Sequence, residues 1–143
     1  MREMHPGKKY LMELWKYDSM IENKKAEKEK WVAIATSTTS QLSEKVQTSS
    51  DGQKMTNAVI RIMKIQEELD ECIKNLKNKR DEIIGVIEQL DAKEYDLIHK
   101  VYVQYYTLKQ YQYIKHISYS SATSIHGRAL NSVVKIKERM DKV

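Results

Sequence analysis

The chain has 143 residues and a net charge of +5, with 31% charged residues, one Pro and four Gly. So few turn-forming residues exclude an all-β or α/β fold, and the lack of any run of about 18 apolar residues excludes a membrane-spanning helix. The N-terminal residues lack the apolar stretch of a signal peptide, and a lone cysteine, Cys72, can form no internal disulfide. We therefore predict an all-α protein of the cytoplasm without contact with a membrane.

Residues 1–91 are predicted to form a long antiparallel helical hairpin. In the second half of this segment apolar residues recur at alternating spacings of three and four, which is the pattern of a coiled coil. The first half has a weaker form of the pattern, and the string QTSSDGQ at 47–53 has the composition of a connecting turn. The stronger repeat consists of Met55, Ala58, Ile62, Ile65, Leu69, Cys72, Leu76, Ile83, Val86 and Leu90.

The same segment is expected to hold a homodimer together. Two helices alone bury little apolar surface, and further apolar residues widen the stripe of the second helix. A second hairpin would cover them in a four-helix bundle. These additional residues are Val59, Ile73, Ile84 and Ile87.

Residues 92–143 are predicted to form three shorter helices. The first begins near Asp91 and has Tyr95, Leu97, Ile98, Val101, Tyr102 and Tyr105 on one face. Thr107 and Ser118 are suitable N-caps for a short second helix and a longer third one. A short helix, a brief turn and a long helix have the proportions of a helix-turn-helix, whose second helix enters the DNA major groove.

The positive charge is concentrated in this C-terminal segment. Residues 1–92 contain 16 Lys and Arg against 16 Asp and Glu, whereas residues 93–143 contain nine against four. Clustered cations favour a polymeric anion because binding releases its counterions. A neutral scaffold joined to a DNA-binding part is one interpretation, and charge that only promotes solubility is the other.

The string HISYSSATSIHGRALNSV at 116–133 resembles the end of a family of small phage and prophage proteins of Gram-positive bacteria. That family has a helix-turn-helix similar to region four of sigma factors, followed by a Leu-His-Gly-Arg/Lys-Ala-Leu motif that corresponds here to residues 125–130. The similarity extends back through KNKRDEIIGVIEQLDAKEYDLIHKVYVQYYTLKQY at 77–111 and to the N-terminal helix. It implies a transcriptional regulator related to late-gene activators of the ArpU and RinA type.

Three positions depart from the pattern of that family. Gln112 stands where the family has a small Ala, and Lys115 stands where it has an apolar residue, whose core place Ile114 could take. His116 occupies the position of the turn glycine, where a left-handed backbone is expected.

Eight residues are candidates for contact with double-stranded DNA. Hydroxyl groups near the start of a recognition helix can reach phosphates or base edges, and Arg128 is the best candidate for a guanine or phosphate contact. The alternative is that these Ser and Thr residues only cap and solvate the helix. The candidates are Tyr119, Ser120, Ser121, Thr123, Ser124 and Arg128, with Lys109 and Lys115 as phosphate-steering charges.

No catalytic or metal-binding pattern is present in the sequence, so we expect neither enzyme activity nor a cofactor. His99, His116 and His126 lack the spacing of metal ligands, and there is no glycine-rich phosphate loop. The alternative to a DNA-binding regulator is a protein-interaction module that binds a host or phage protein, such as RNA polymerase or a repressor. A small-terminase-like packaging protein, which would assemble into a larger ring, is a third possibility.

Overall fold

A computed structural model describes residues 3–44 and 49–142, with side chains outside 38–51. In these ranges every regular element is helical, which confirms the all-α prediction. The elements are α1 (Pro6–Leu11), α2 (Glu13–Glu44), α3 (Ser49–Ile87), α4 (Ala92–Ile98), a π-helical segment (His99–Val103), α5 (Leu108–Lys115) and α6 (Tyr119–Asp141). Within the described ranges, no helix combines the length and hydropathy needed to cross a bilayer.

The chain forms two compact units, which we name by their place in the sequence. The central unit is Tyr17–Leu76, and the terminal unit combines Met1–Lys16 with Lys77–Val143. The terminal unit therefore includes both ends of the chain. The predicted functional division, with a dimerisation hairpin at 1–91 and a helix-turn-helix at 92–143, stays a prediction.

In the central unit, α2 and α3 run antiparallel. Lys24 Nζ lies 3.0 Å from Glu68 Oε2, and the Arg61 guanidinium lies 5.9 Å from the centroid of the Trp31 ring. Residues later in α2 therefore lie beside residues earlier in α3. The helices enclose a small core of Ile21, Leu69 and Cys72, with Leu76 packed against it. This arrangement confirms the predicted hairpin.

The predicted turn at 47–53 is wrong over residues 49–53, because α3 already begins at Ser49. Ser49, Ser50 and Asp51 are residue types that favour the first turn of a helix as much as a loop. Residues 45–48 lie outside the described residues. The polar run TSTTSQ at 36–41 does not interrupt α2, which continues to Glu44.

In the terminal unit, α1 packs against α6, a contact that the sequence did not indicate. A Cβ on Gly7 would lie 2.6 Å from the Leu130 carbonyl oxygen, so only glycine permits this approach. His5 Nδ1 accepts a hydrogen bond from the Gly7 N–H, and its Nε2 donates to Asn131 Oδ1 at 2.9 Å. The N-cap of α1 is therefore joined to the middle of α6.

Polar contacts around Tyr10 join three helices of the same unit. Its hydroxyl donates to Glu82 Oε2 at 2.7 Å, and the ammonium groups of Lys79 and Lys137 lie 5.6 and 5.4 Å from its ring centroid. Burial and the Glu82 carboxylate raise the pKa of Tyr10, so this hydroxyl stays protonated and continues to donate. The start of the chain is thereby attached to α3 and α6.

The C-terminal helices begin where the sequence predicts. Asp91 caps α4 by accepting from the Glu94 N–H at 2.9 Å, and Thr107 and Ser118 cap α5 and α6. One expectation fails: Tyr105 lies outside the helix, at a φ of 64°, with its side chain half exposed. The π-helical segment ends just before it, so the face predicted to continue through Tyr105 is interrupted.

Candidate nucleic-acid interface

The turn between α5 and α6 is closed by a left-handed residue, as predicted. His116 has a φ of 55°, its N–H donates to the Tyr113 carbonyl, and the Ile117 N–H donates to the Gln112 carbonyl. These two bonds form a Schellman motif, which satisfies carbonyl groups at the end of α5 and reverses the chain. A non-glycine residue is accommodated at a cost of about 1 kcal/mol.

The start of α6 is fixed by its own cap. The Ser118 side chain accepts from the Ser121 N–H at 3.0 Å. Ala122, Ala129 and Val133 are fully buried on one side of α6. Thr123, Ser124, Gly127 and Arg128, on the other side, are exposed. Ile114, expected in a core position, is exposed instead, and Tyr111 is the buried residue of α5. The aromatic ring of Tyr111 fills this part of the core.

All eight candidate residues have exposed side chains, and five of them line one groove. The groove has a volume of about 610 Å³, with the outer face of α6 as one wall and α4 as another. Tyr119 and Thr123 lie outside its lining, and Lys109 lines a separate hollow with Tyr106 and Tyr113. The five candidates in the groove are Lys115, Ser120, Ser121, Ser124 and Arg128.

Two charged residues of the groove were missed at the sequence level. Lys93 and Asp96 of α4 line the wall opposite α6. Nothing in the local sequence marks Lys93, since only the packing of α4 against α6 brings it beside Arg128. The charged side chains of the groove are thus Lys93, Lys115 and Arg128 against Asp96, an excess of positive charge.

The Asp96 carboxylate is held by three donors. It pairs with Lys100, accepts from the Tyr111 hydroxyl at 3.0 Å, and lies 3.0 Å from Lys115 Nζ. Burial alone would raise the pKa of Asp96, but these donors outweigh it and the pKa is lowered. The charge of Lys115 is therefore engaged within the protein, which weakens Lys115 as a candidate phosphate ligand.

Arg128 is a cation of the groove that remains available, as is Lys93 on the opposite wall. Among the described residues, no carboxylate lies within ion-pair distance of its guanidinium. Glu94 is buried nearby, and its pKa is raised by burial and by the charge of Asp91, with the positive charge of Arg128 acting against that rise. An exposed guanidinium beside three serine hydroxyls is suited to an anionic ligand.

His126, in the HGRAL segment, has a packing role and points away from this groove. Its Nε2 shares a 2.7 Å hydrogen bond with the Tyr102 hydroxyl, and the two rings are stacked at 5.7 Å. Burial, together with the charges of Lys8 and His5, lowers the pKa of His126. The ring is therefore neutral near pH 7 and is not a phosphate contact.

A second groove, the aromatic groove, lies on the side of the terminal unit where His126 packs. It has a volume of about 510 Å³, and Trp15 at its rim is 54% exposed. The half-exposed, left-handed Tyr105 is part of its wall. Its apolar lining is completed by Leu11, Met12, Val101, Tyr102, Tyr106 and Leu108.

Within the part of the chain that the structure describes, no group of three or more His, Cys, Asp or Glu side chains could hold a metal ion. Comparison with protein-family models, curated proteins and solved structures finds no match for the chain.

Proposed function

From this exposed, positively charged groove, we propose that the protein is a DNA-binding transcriptional regulator of a phage or prophage, acting on late genes, which places α6 in the major groove. The observation that supports the proposal best is the outward face at the start of α6. Ser120, Ser124 and Arg128 follow one another at intervals of four residues, so they form one row of donors along the helix. The resemblance of residues 125–130 to the ArpU and RinA type of regulator supports the same function.

The dimensions of α6 suit such a complex. Its 23 residues span about 35 Å at the usual rise, and a B-DNA major groove about 12 Å wide accepts one α-helix. The hydroxyl groups of the first two turns would approach phosphates and base edges, and Arg128 a guanine or a phosphate. Lys93 would meet the phosphate backbone beside them.

The test is fluorescence anisotropy of the full chain with labelled double-stranded DNA at two salt concentrations. Arg128→Ala should weaken binding by about 1–3 kcal/mol, roughly 5- to 150-fold. Arg61→Ala in the central unit removes the same charge and should leave affinity within about twofold. Equal affinity of Arg128→Ala and the natural chain would refute the assigned contact, and no binding by the natural chain at low salt would refute the function.

The target is to be found by selecting bound fragments from the genome that encodes the protein. Enrichment upstream of one operon is the expected result, because a regulator of late genes acts at few promoters. Uniform recovery of fragments would indicate a non-specific DNA-binding protein instead.

The aromatic groove favours a second candidate function, the binding of a host or phage protein such as RNA polymerase. An exposed Trp beside a strained, left-handed Tyr105 is typical of recognition sites. Purified RNA polymerase should then retain the natural chain in the presence of nuclease and release Trp15→Ala. Retention of both proteins alike would exclude the groove as the binding site.

A further inference from the structure

We propose that the aromatic groove binds a small aromatic acid, whose ring lies against the apolar lining and whose carboxylate pairs with the Lys8 ammonium group. The volume of the groove, about 510 Å³, falls within the range of small-molecule sites, roughly 300–1,000 Å³. The occupant is then neither DNA nor a protein, so this inference goes beyond both functions proposed above.

The apolar part of the groove combines a buried floor with an exposed rim. Leu11 is fully buried and Tyr102 is nearly so, whereas about half of the Trp15 side chain is exposed. A ring that enters past Trp15 therefore leaves water and gains contact with aliphatic and aromatic side chains. An aromatic ring gains more than an aliphatic group of the same size, because offset or edge-on contacts between aromatic rings add to the effect of burial.

The walls of the groove come from parts of the terminal unit that are distant in the sequence. They include Lys8 of α1, Val101 of the π-helical segment, Leu108 of α5 and His126 of α6. The wall formed by α1 is held in place by the close approach of Gly7 to α6. The site is therefore already formed within the folded unit, which lowers the cost of ordering it around a ligand.

The charge of the groove favours an anion. Lys8 is the charged side chain of its lining, and no acidic residue is among the lining residues. Burial lowers the pKa of His126, and the charges of Lys8 and His5 lower it further, so the positive field extends over the imidazole of the same groove. An anionic ligand complements this field, whereas a cationic ligand is repelled.

The hydrogen bonds of the lining favour a single carboxylate on the ligand. The Tyr102 hydroxyl shares a hydrogen bond with His126, and the Thr107 hydroxyl accepts from the Gln110 N–H at the start of α5. These two hydroxyl groups already have partners, so the anion depends on the Lys8 ammonium group. A single ammonium group neutralises a carboxylate, whereas a phosphate monoester carries a larger charge and is held by several donors.

The test titrates the full chain, labelled with nitrogen-15, with indole-3-propionate in the absence of DNA and RNA polymerase. The chain has two tryptophans, whose indole N–H signals are followed by NMR, and Trp31 of the central unit is the internal control. The Trp15 signal should shift saturably, with a dissociation constant on the order of 1 mM for a ligand of this size, while the Trp31 signal stays in place. Tryptamine has the same ring with an ammonium group, and should bind at least about tenfold more weakly.

Substitutions of Lys8 test the assigned ion pair. Lys8→Gln should weaken the binding of indole-3-propionate about fivefold, and Lys8→Glu should make tryptamine the tighter ligand. Lys9→Gln is the matched control, because Lys9 is the next residue of α1, is exposed and lies outside the lining of the groove. It removes the same charge from the same helix and should leave the dissociation constant within about twofold.

Four results would overturn the proposal. The first is a Trp15 signal that does not shift saturably at twenty times the expected dissociation constant, and the second is equal affinity for the acid and the amine. The third is an equal loss of affinity in Lys8→Gln and Lys9→Gln, which would reduce the effect to net charge. The fourth is a parallel shift of Trp15 and Trp31, which would indicate non-specific adsorption. Because DNA and RNA polymerase are omitted, these outcomes are separate from those of the tests of the two proposed functions.

Discussion

Gly127 offers a sharp test of the proposed DNA-facing side of α6. It lies in the interior of α6 on the exposed side, and a Cβ added there would meet no atom within 4 Å. Helical glycine is about 1 kcal/mol less favourable than alanine, so Gly127→Ala should stabilise the folded chain by roughly that amount. For a protein of this size the melting temperature should rise by roughly 4 °C.

The same substitution should weaken DNA binding. Gly127 lies on the outward side of α6 together with Ser120 and Ser124, so a methyl group would hold the helix away from a bound duplex. Hydrogen bonds to phosphates and bases tolerate an increase of only a few tenths of an ångström in the donor–acceptor distance. The loss of one or two such bonds corresponds to about a tenfold loss of affinity. Stability and affinity should therefore change in opposite directions.

Thermal unfolding by circular dichroism and anisotropy with labelled DNA measure the two effects. Gly85→Ala is the control, since Gly85 is also an exposed helical glycine with open space around it, on α3. It should gain stability without any loss of affinity. A Gly127→Ala protein that binds DNA as tightly as the natural chain would refute the contact of this side with DNA. A lower melting temperature of Gly127→Ala would contradict the open space found around Gly127.

Three further predictions follow from the terminal unit. His116→Gly should raise the free energy of unfolding by about 1 kcal/mol in urea titrations, because it relieves a left-handed backbone, and a loss of stability would contradict this. The pKa of His126 is lowered in the folded chain, so the unfolded chain binds more protons as the pH falls through the ordinary value of about 6.5. Stability should be complete above that pH and decline below it, and His126→Gln should flatten the decline. Asp96→Asn should release Lys115 into the groove and steepen the dependence of DNA affinity on salt by about one unit of log-log slope, measured by anisotropy. An unchanged slope would show that Lys115 does not face the DNA.

Local signals in the sequence were sufficient to predict most of the helices. Thr107 and Ser118 were recognisable as caps because a hydroxyl followed by a helical periodicity is a local pattern. The heptad repeat likewise indicated that Leu69 and Cys72 would be buried between α2 and α3. The polar residues at 49–53 misled the turn prediction, since the same residue types begin a helix.

Features that depend on distant parts of the chain were not predictable. The bond from His5 to Asn131 and the close approach of Gly7 to Leu130 join residues more than 120 positions apart, for which periodicity gives no signal. Lys93 was missed for the same reason. The exposure of Ile114 depends on Tyr111 filling the core instead, a choice made by tertiary packing.

The contact of α1 with α6 determines the order in which the two units can fold during translation. The residues of α1 are translated before those of α6, since Gly7 and the Leu130 carbonyl that it approaches are more than 120 positions apart. At about 5–20 residues per second, α1 waits several seconds for its partner. The hairpin of the central unit lies between them in the sequence, so its two helices can pair while α6 is still unmade, and the terminal unit closes only after α6 has been translated.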